Sequence, residues 1–180
     1  MKWISFWLTN RKQRVVLNGN FSEWQDFISG VPQGSVFGPL AFLIYIDDLD
    51  LETTDIRIMN KFADDTKLGH TVASYNDRIV IQNCINRLLE WAEKWRMTFN
   101  IGKCKVLHAG YHNPGFQYNM KGTVLSEAED EKDLGIRITR SLKPSMHCRE
   151  AAAKANGVLK QILNAFHYRD RHTFLGLYKQ

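Results

Sequence analysis

Lys61-Phe62-Ala63-Asp64-Asp65-Thr66-Lys67 sets two adjacent aspartates between two runs that read as strands. Ile56, Ile58 and Phe62 fall on one face of an extended run over residues 56–63, with Arg57 and Lys61 on the other. Residues 66–72 can return beside it, so the spacing predicts a β-hairpin with Asp64 and Asp65 in its turn and both carboxylates facing one cleft. Two-residue hairpin turns favour Asn-Gly or Asp-Gly, whose backbones accept positive φ cheaply, so Asp-Asp points to a task other than turning. Like charges on one tight turn repel, and a divalent cation relieves that repulsion. All-oxygen ligands select Mg²⁺ or Mn²⁺. A solvated acidic turn is the plain alternative, and the doublet alone leaves it open.

The rest of the composition is that of a globular chain. With 180 residues, 44% hydrophobic and 24% charged, it can bury one core and does not resemble a disordered segment. The net charge is +5, and residues 143–180 carry all of it, with seven basic residues against Glu150 and Asp170. Basic charge at one end, next to Phe166, His167 and Tyr168, points to a polyanion, nucleic acid ahead of an anionic membrane. No run is long enough to span a bilayer, and the apolar stretch at residues 3–8 is too short for a signal peptide. Cys84, Cys104 and Cys148 are odd in number and widely spaced, which fits a reducing compartment rather than a disulfide framework. Cys104, His108 and His112 recur every four residues, but the strand-like Lys105-Val106-Leu107 between them would scatter zinc ligands.

Taken in order, residues 3–8 read as a helix stopping near Asn10. Residues 12–18 and 21–28 read as strands about a Gly19-Asn20 turn. Ser29-Gly30-Val31-Pro32-Gln33-Gly34-Ser35-Val36-Phe37-Gly38-Pro39 is a shaped loop feeding a buried apolar helix at residues 40–46. Its glycines allow close backbone approach to a ligand, and Gln33 offers a donor and acceptors to a base or sugar edge. Ser74 with Asp77 caps a helix whose stripe of Ile81, Ile85, Leu88, Ala92 and Trp95 is core-like. Short strands are expected at residues 97–100, 105–109, 118–120, 123–125 and 134–138, with Lys103 on a turn. Ser145 is expected to cap a long helix ending near Phe166, and another helix begins at Thr173.

Strand, doublet turn, strand, helix and strand is the order of an α+β palm, an antiparallel sheet with helices on one face. With its motifs the chain resembles the reverse transcriptases of LINE-type retrotransposons, those without long terminal repeats, and above all the jockey-like and chicken-repeat-like branch. Residues 29–35 with Gly38-Pro39 look like the family's nucleotide- and template-contacting loop, and Phe62-Ala63-Asp64-Asp65 like its catalytic doublet. Asn100-Ile101-Gly102-Lys103 resembles the block whose lysine lies near the incoming triphosphate, and Leu134-Gly135-Ile136 the primer grip. Phe37 and Asp47 stand where the family usually has leucine and asparagine, and Phe37 could crowd the nucleotide pocket.

The resemblance implies a palm over residues 1–139, truncated at its front, and the start of a helical, basic thumb over 140–180. It implies an RNA template, a DNA primer and deoxynucleoside triphosphates as partners, with two-metal nucleotidyl transfer on Mg²⁺ or Mn²⁺. Asp64 and Asp65 would hold the metal, Pro32, Gln33, Gly34, Phe62, Ala63 and Lys103 would line the nucleotide and template site, and Leu134 and Gly135 would grip the primer. Lys154 and Lys160 would follow the nucleic-acid backbone. The expected setting is the nucleus and cytoplasm of a eukaryotic host, and the oligomeric state stays open. The family's first metal-binding aspartate belongs to a strand upstream of residue 3, so the fragment is expected to bind metal weakly and turn over slowly or not at all. A non-catalytic nucleic-acid-binding remnant is the alternative reading.

Overall fold

Three two-residue turns share one backbone signature and set the register of three hairpins. Asn18-Gly19 (φ 49° and 78°), Lys121-Gly122 (49° and 79°) and Leu134-Gly135 (47° and 90°) all place both central residues at positive φ. That is the type I′ pattern, whose twist matches the strands it joins, and glycine at the second position adopts it without a Cβ penalty. The computed structural model describes residues 2–28, 30, 34–166, 171 and 175. They belong to two compact units, Met1–His70 and Thr71–Gln180. Among the described residues the strands form six two-stranded pairs, five antiparallel and one parallel, instead of one continuous antiparallel sheet.

The first unit begins with helix α1, Lys2–Leu8. Asn10 follows it in the left-handed region at φ 55°, a position that asparagine tolerates. Strands β1 (Lys12–Gln13) and β2 (Val16–Leu17) return as β3 (Asn20–Phe21) and β4 (Gln25–Asp26). The turn is Asn18-Gly19, one residue earlier than expected, because Leu17 pairs with Asn20. Val16 opposes Phe21 but Lys12 opposes Asp26, so the returning arm carries one extra residue, a bulge bridged where Val15 N donates to Ser22 Oγ at 2.9 Å.

Helix α2, Phe37–Tyr45, was expected to be buried, yet Leu40, Leu43 and Ile44 are exposed. Only Gly38 within α2 is buried, and the apolar core of this unit gathers just beyond it, at Ile46 and Leu49 with the covered Thr53. A run that is apolar all round looks buried in sequence, whatever its surroundings offer. A 3₁₀ helix, Asp47–Thr53, leads to β5 (Ile58–Phe62) and β6 (Asp65–Gly69).

In the second unit, helix α3 spans Tyr75–Lys94 and starts in a complete capping box between Ser74 and Asp77. Of the expected stripe Ile85, Leu88 and Ala92 are buried and Ile81 and Trp95 only half-buried, while Cys84 and Trp91 on the same side of the helix complete the buried set. Arg96 N donates to Glu93 O and Met97 N to Ala92 O, with Arg96 at φ 55°, which is the hydrogen-bond pattern of a Schellman motif. The chain therefore bends away, and residues 97–100 form no strand. Strand β7, Lys105–Leu107, pairs in parallel with β10, Ser126–Ala128. Between them β8 (Asn119–Met120) and β9 (Thr123–Val124) form a hairpin against α3. Gln82 fixes that contact: its Nε2 donates to Asn119 O at 2.9 Å and its Oε1 accepts from Asn119 N at 3.0 Å. Tyr118, Met120 and Leu125 join the buried set, and burial raises the Tyr118 pKa above its ordinary value, opposed by the nearby Arg78.

The acidic stretch before residue 134 is itself mostly strand. Strand β11, Asp130–Asp133, pairs with β12, Ile136–Thr139, around Leu134-Gly135. Leu134 and Gly135, expected within a strand, make the turn because both sit at positive φ. Helix α4 spans Ser145–Ala165. Pro144, not Ser145, is its N-cap, and Ser145 is its first helical residue. Of the helix expected from residue 173, Leu175 alone is among the described residues, and it is helical.

Candidate functional site

Strands β5 and β6 pair in register from Ile58 opposite Gly69 to Phe62 opposite Asp65. Ala63 and Asp64 are therefore the two turn residues, and Asp65 is the first residue of β6, so the turn sits one residue earlier than the aspartate doublet. Ala63 lies at φ 52°, whereas Asp64 keeps negative φ. This differs from the three type I′ turns, and an alanine at positive φ costs about 1–2 kcal/mol. Both carboxylates are exposed at the hairpin tip. Adjacent side chains on a strand point to opposite faces, and the turn breaks that alternation between Asp64 and Asp65.

The covered face of β5 is the one that carries Lys61, not the one that carries Ile58 and Phe62. Ile58 and Phe62 are 51% and 62% exposed, while Met59 and Lys61 face inward. The reason is Lys61, only 17% exposed at its side chain. Its Nζ donates to Ile46 O at 2.9 Å and Asp47 O at 3.1 Å and lies 3.1 Å from Asp50 Oδ1. The periodicity showed which residues share a face with Lys61 but could not show that an ammonium would find carbonyls there.

In the same unit, Gly34 sits in a turn at φ 80°, and a Cβ added to it would meet nothing within 4 Å. Ser35 Oγ then accepts from Gly38 N at 2.9 Å, supporting the first turn of α2. The Phe37 ring meets Trp7 edge-on with centroids 5.5 Å apart. Pro32 and Gln33 lie outside the described residues.

The other expected site residues belong to the second unit. Lys103 ends a short 3₁₀ helix, Ile101–Lys103, and is exposed. Leu134 and Gly135 form the exposed β11–β12 turn. Lys154 and Lys160 are exposed on α4, but at about 100° per helical residue they lie about 120° apart around the axis. Arg149, by the same count, is about 20° from Lys160, so those two share a face. The docked side is marked by His147, about 140–160° around the axis from that face, and by Glu150, about 80–100° from it. Arg137 N donates to His147 Nδ1 at 3.4 Å, and Arg137 Nε lies 2.7 Å from Glu150 Oε1. Counting basic residues finds the thumb-like charge, and helical spacing could have singled out Arg149.

Cys104, His108 and His112 do not assemble. His108 is buried with Nε2 3.7 Å from Glu127 Oε1, Cys104 is half-buried with its thiol pKa raised by burial, and His112 is exposed. Among the described residues no three His, Cys, Asp or Glu side chains form a group able to hold a metal ion, and no helix is long and apolar enough to cross a membrane. Two carboxylates nevertheless fit Mg²⁺, which is commonly held by one or two carboxylates, with waters and substrate phosphates completing its shell.

The family model for reverse transcriptase (RNA-dependent DNA polymerase) matches residues 1–177. The chain is 31% identical over 153 residues to the RNA-directed DNA polymerase from mobile element jockey of Drosophila funebris, covering 79% of this chain and 16% of that protein. It is 27% identical over 153 residues to the jockey polymerase of Drosophila melanogaster, covering 80% and 17%. To the probable RNA-directed DNA polymerase from transposon X-element of the same species it is 28% identical over 149 residues, covering 78% and 16%. The chain thus spans about a sixth of the length of these curated relatives. No solved structure matches it. On the family match over nearly its whole length, and on relatives that are polymerases of mobile elements, the chain belongs to the reverse transcriptase family.

Proposed function

We propose that this chain supplies the palm, residues 1–139, and the start of the thumb, residues 140–180, of an RNA-directed DNA polymerase of a retrotransposon without long terminal repeats. The observation that carries the reading is the exposed Asp64-Asp65 doublet on a hairpin turn that an alanine enters at positive φ. Backbone strain of this kind gathers at functional sites. Asp64 and Asp65 would hold Mg²⁺, with Mn²⁺ as the near substitute. The cations, when bound, supply charge neutralisation and Lewis acidity for phosphoryl transfer.

The protein's own residues have separable tasks. The two carboxylates present oxygen donors at the hairpin tip, free of competing burial. Pro32, Gln33 and Gly34, with Phe62 and Ala63, would shape the nucleotide and template pocket. Lys103 would offset charge on the departing pyrophosphate or donate a proton to it. Leu134 and Gly135 would bear on the primer end, and the basic α4 would follow the template-primer backbone through Lys154 and Lys160. The substrates are then an RNA template, a DNA primer and deoxynucleoside triphosphates, in the nucleus and cytoplasm of a eukaryotic cell.

The test is primer extension on an RNA template with Mg²⁺, using the longest open reading frame that contains this chain. Asp64→Asn should abolish extension while leaving duplex binding nearly intact, since asparagine keeps the shape but loses the charge that a hard cation needs. Extension that survives Asp64→Asn overturns the metal assignment.

A further inference from the structure

We propose that Lys61 is a positioning residue that holds the Ala63 and Asp64 turn in fixed relation to the carbonyl end of α2. The proposal rests on Asp64 and Asp65 being the metal-binding pair. An ammonium group has three donors, and the structure supplies three oxygens for them: Ile46 O, Asp47 O and Asp50 Oδ1. Two of these are main-chain carbonyls where α2 gives way to the 3₁₀ helix, at the negative end of the helix dipole. Covering an ammonium is costly when its donors are left unmet, and here each donor has an oxygen within reach.

The consequence for the site follows from topology. Strands β5 and β6 form a two-stranded pair, an arrangement only marginally stable in isolation. Their aspartates need an anchor outside the pair if their oxygens are to stay in place. Lys61 stands three residues before Asp64, on the covered face of β5. Its partners lie at the end of the helix whose first turn is supported by Ser35. One side chain thereby links the doublet hairpin to the element that the loop at residues 34–36 opens. Sites of this kind require their ligands to be held within about 0.5 Å, which a flexing hairpin does not provide.

The experiment is primer extension with a Mg²⁺ titration, in the longest open reading frame that contains this chain, on Lys61→Met, Lys61→Arg, Asp50→Asn and Asp64→Asn. Methionine keeps most of the stem and removes the charge and the donors. Since a misplacement of about 1 Å can cost roughly 100-fold, kcat should fall roughly 10- to 100-fold in Lys61→Met. The Mg²⁺ concentration for half-maximal rate should rise, the KM for template-primer should stay unchanged, and Lys61→Arg should recover part of the loss. A folded Lys61→Met with wild-type kcat and Mg²⁺ dependence overturns the proposal. If circular dichroism shows Lys61→Met unfolded, Asp50→Asn decides: a raised Mg²⁺ requirement supports the proposal and an unchanged one overturns it. Activity surviving in Asp64→Asn removes the metal-pair reading itself, a failure seen in that variant and not in the Lys61 series.

Discussion

Arg137 on β12 reaches Glu150 on α4 with its Nε 2.7 Å from Oε1, while its Nη1 pairs with Asp130 on β11. One guanidinium thus joins both strands of the Leu134-Gly135 hairpin to the helix that follows. The hydrogen bond to Glu150, and then that to Asp130, raise its pKa above the ordinary guanidinium value, which favours the charged form. A raised basic pKa stabilises the fold at all pH below the unfolded value and is lost only above it, so this contribution is constant over the working range. Arg137→Met should lower the melting temperature of the chain, and Glu150→Gln should lower it less because Asp130 remains. Equal melting curves for wild type and Arg137→Met would show that the clamp contributes nothing.

Arg149 and Lys160 share one exposed face of α4, about 80–100° around the axis from Glu150, so reversal of those two should dominate nucleic-acid binding. Each lost phosphate contact should reduce the slope of log affinity against log salt by about 0.9. Filter binding at several salt concentrations should therefore show Arg149→Glu with Lys160→Glu flattening the slope more than Lys154→Glu with Lys160→Glu. An unchanged slope in both pairs would end the thumb assignment.

Ala63, at φ 52°, should accept glycine and resist branching. Ala63→Gly relieves the strain but loosens the unfolded chain, so its stability should stay within about 1 kcal/mol of wild type. Ala63→Val should destabilise by about 1–3 kcal/mol, as a β-branched residue is a true outlier there. Urea midpoints at constant slope measure both.

Leu88 is 3% exposed in the centre of the α3 stripe. Leu88→Ala should cost about 2–5 kcal/mol through lost burial and the cavity left behind. Denaturant unfolding followed by tryptophan fluorescence reads this through the neighbouring buried Trp91.

The three cysteines should alkylate in the order of their surroundings. Cys148 is exposed, Cys104 is half-buried with a raised pKa, and Cys84 is fully buried. Iodoacetamide at neutral pH should modify Cys148 first and Cys84 only on unfolding, while Cys104 should accelerate as pH rises toward its displaced pKa. Because its folded pKa is raised, the stability linked to Cys104 is present at neutral pH and declines as pH climbs through that value. Peptide mass spectrometry against time gives the order.

Much of this was legible in the residues alone. The doublet hairpin, the Ser74 and Asp77 capping box and the buried stripe of α3 all arise from local rules, periods of 2 and 3.6 and the chemistry of a cap, so sequence spacing suffices to read them. The motif blocks likewise led to the reverse transcriptase family. Other features depend on groups distant in sequence. Lys61 turned inward because carbonyls 14 and 15 residues away needed a donor, which decided the covered face of β5. Residues 130–133, acidic but for Lys132, became a strand because Arg137 offered cross-strand charge and Leu134-Gly135 could take positive φ together. Residues 97–100 lost their strand to the Schellman bonds that close α3. Periodicity records which side chains share a face, but the partner waiting on that face is set by chain folding, and there the tertiary structure decided.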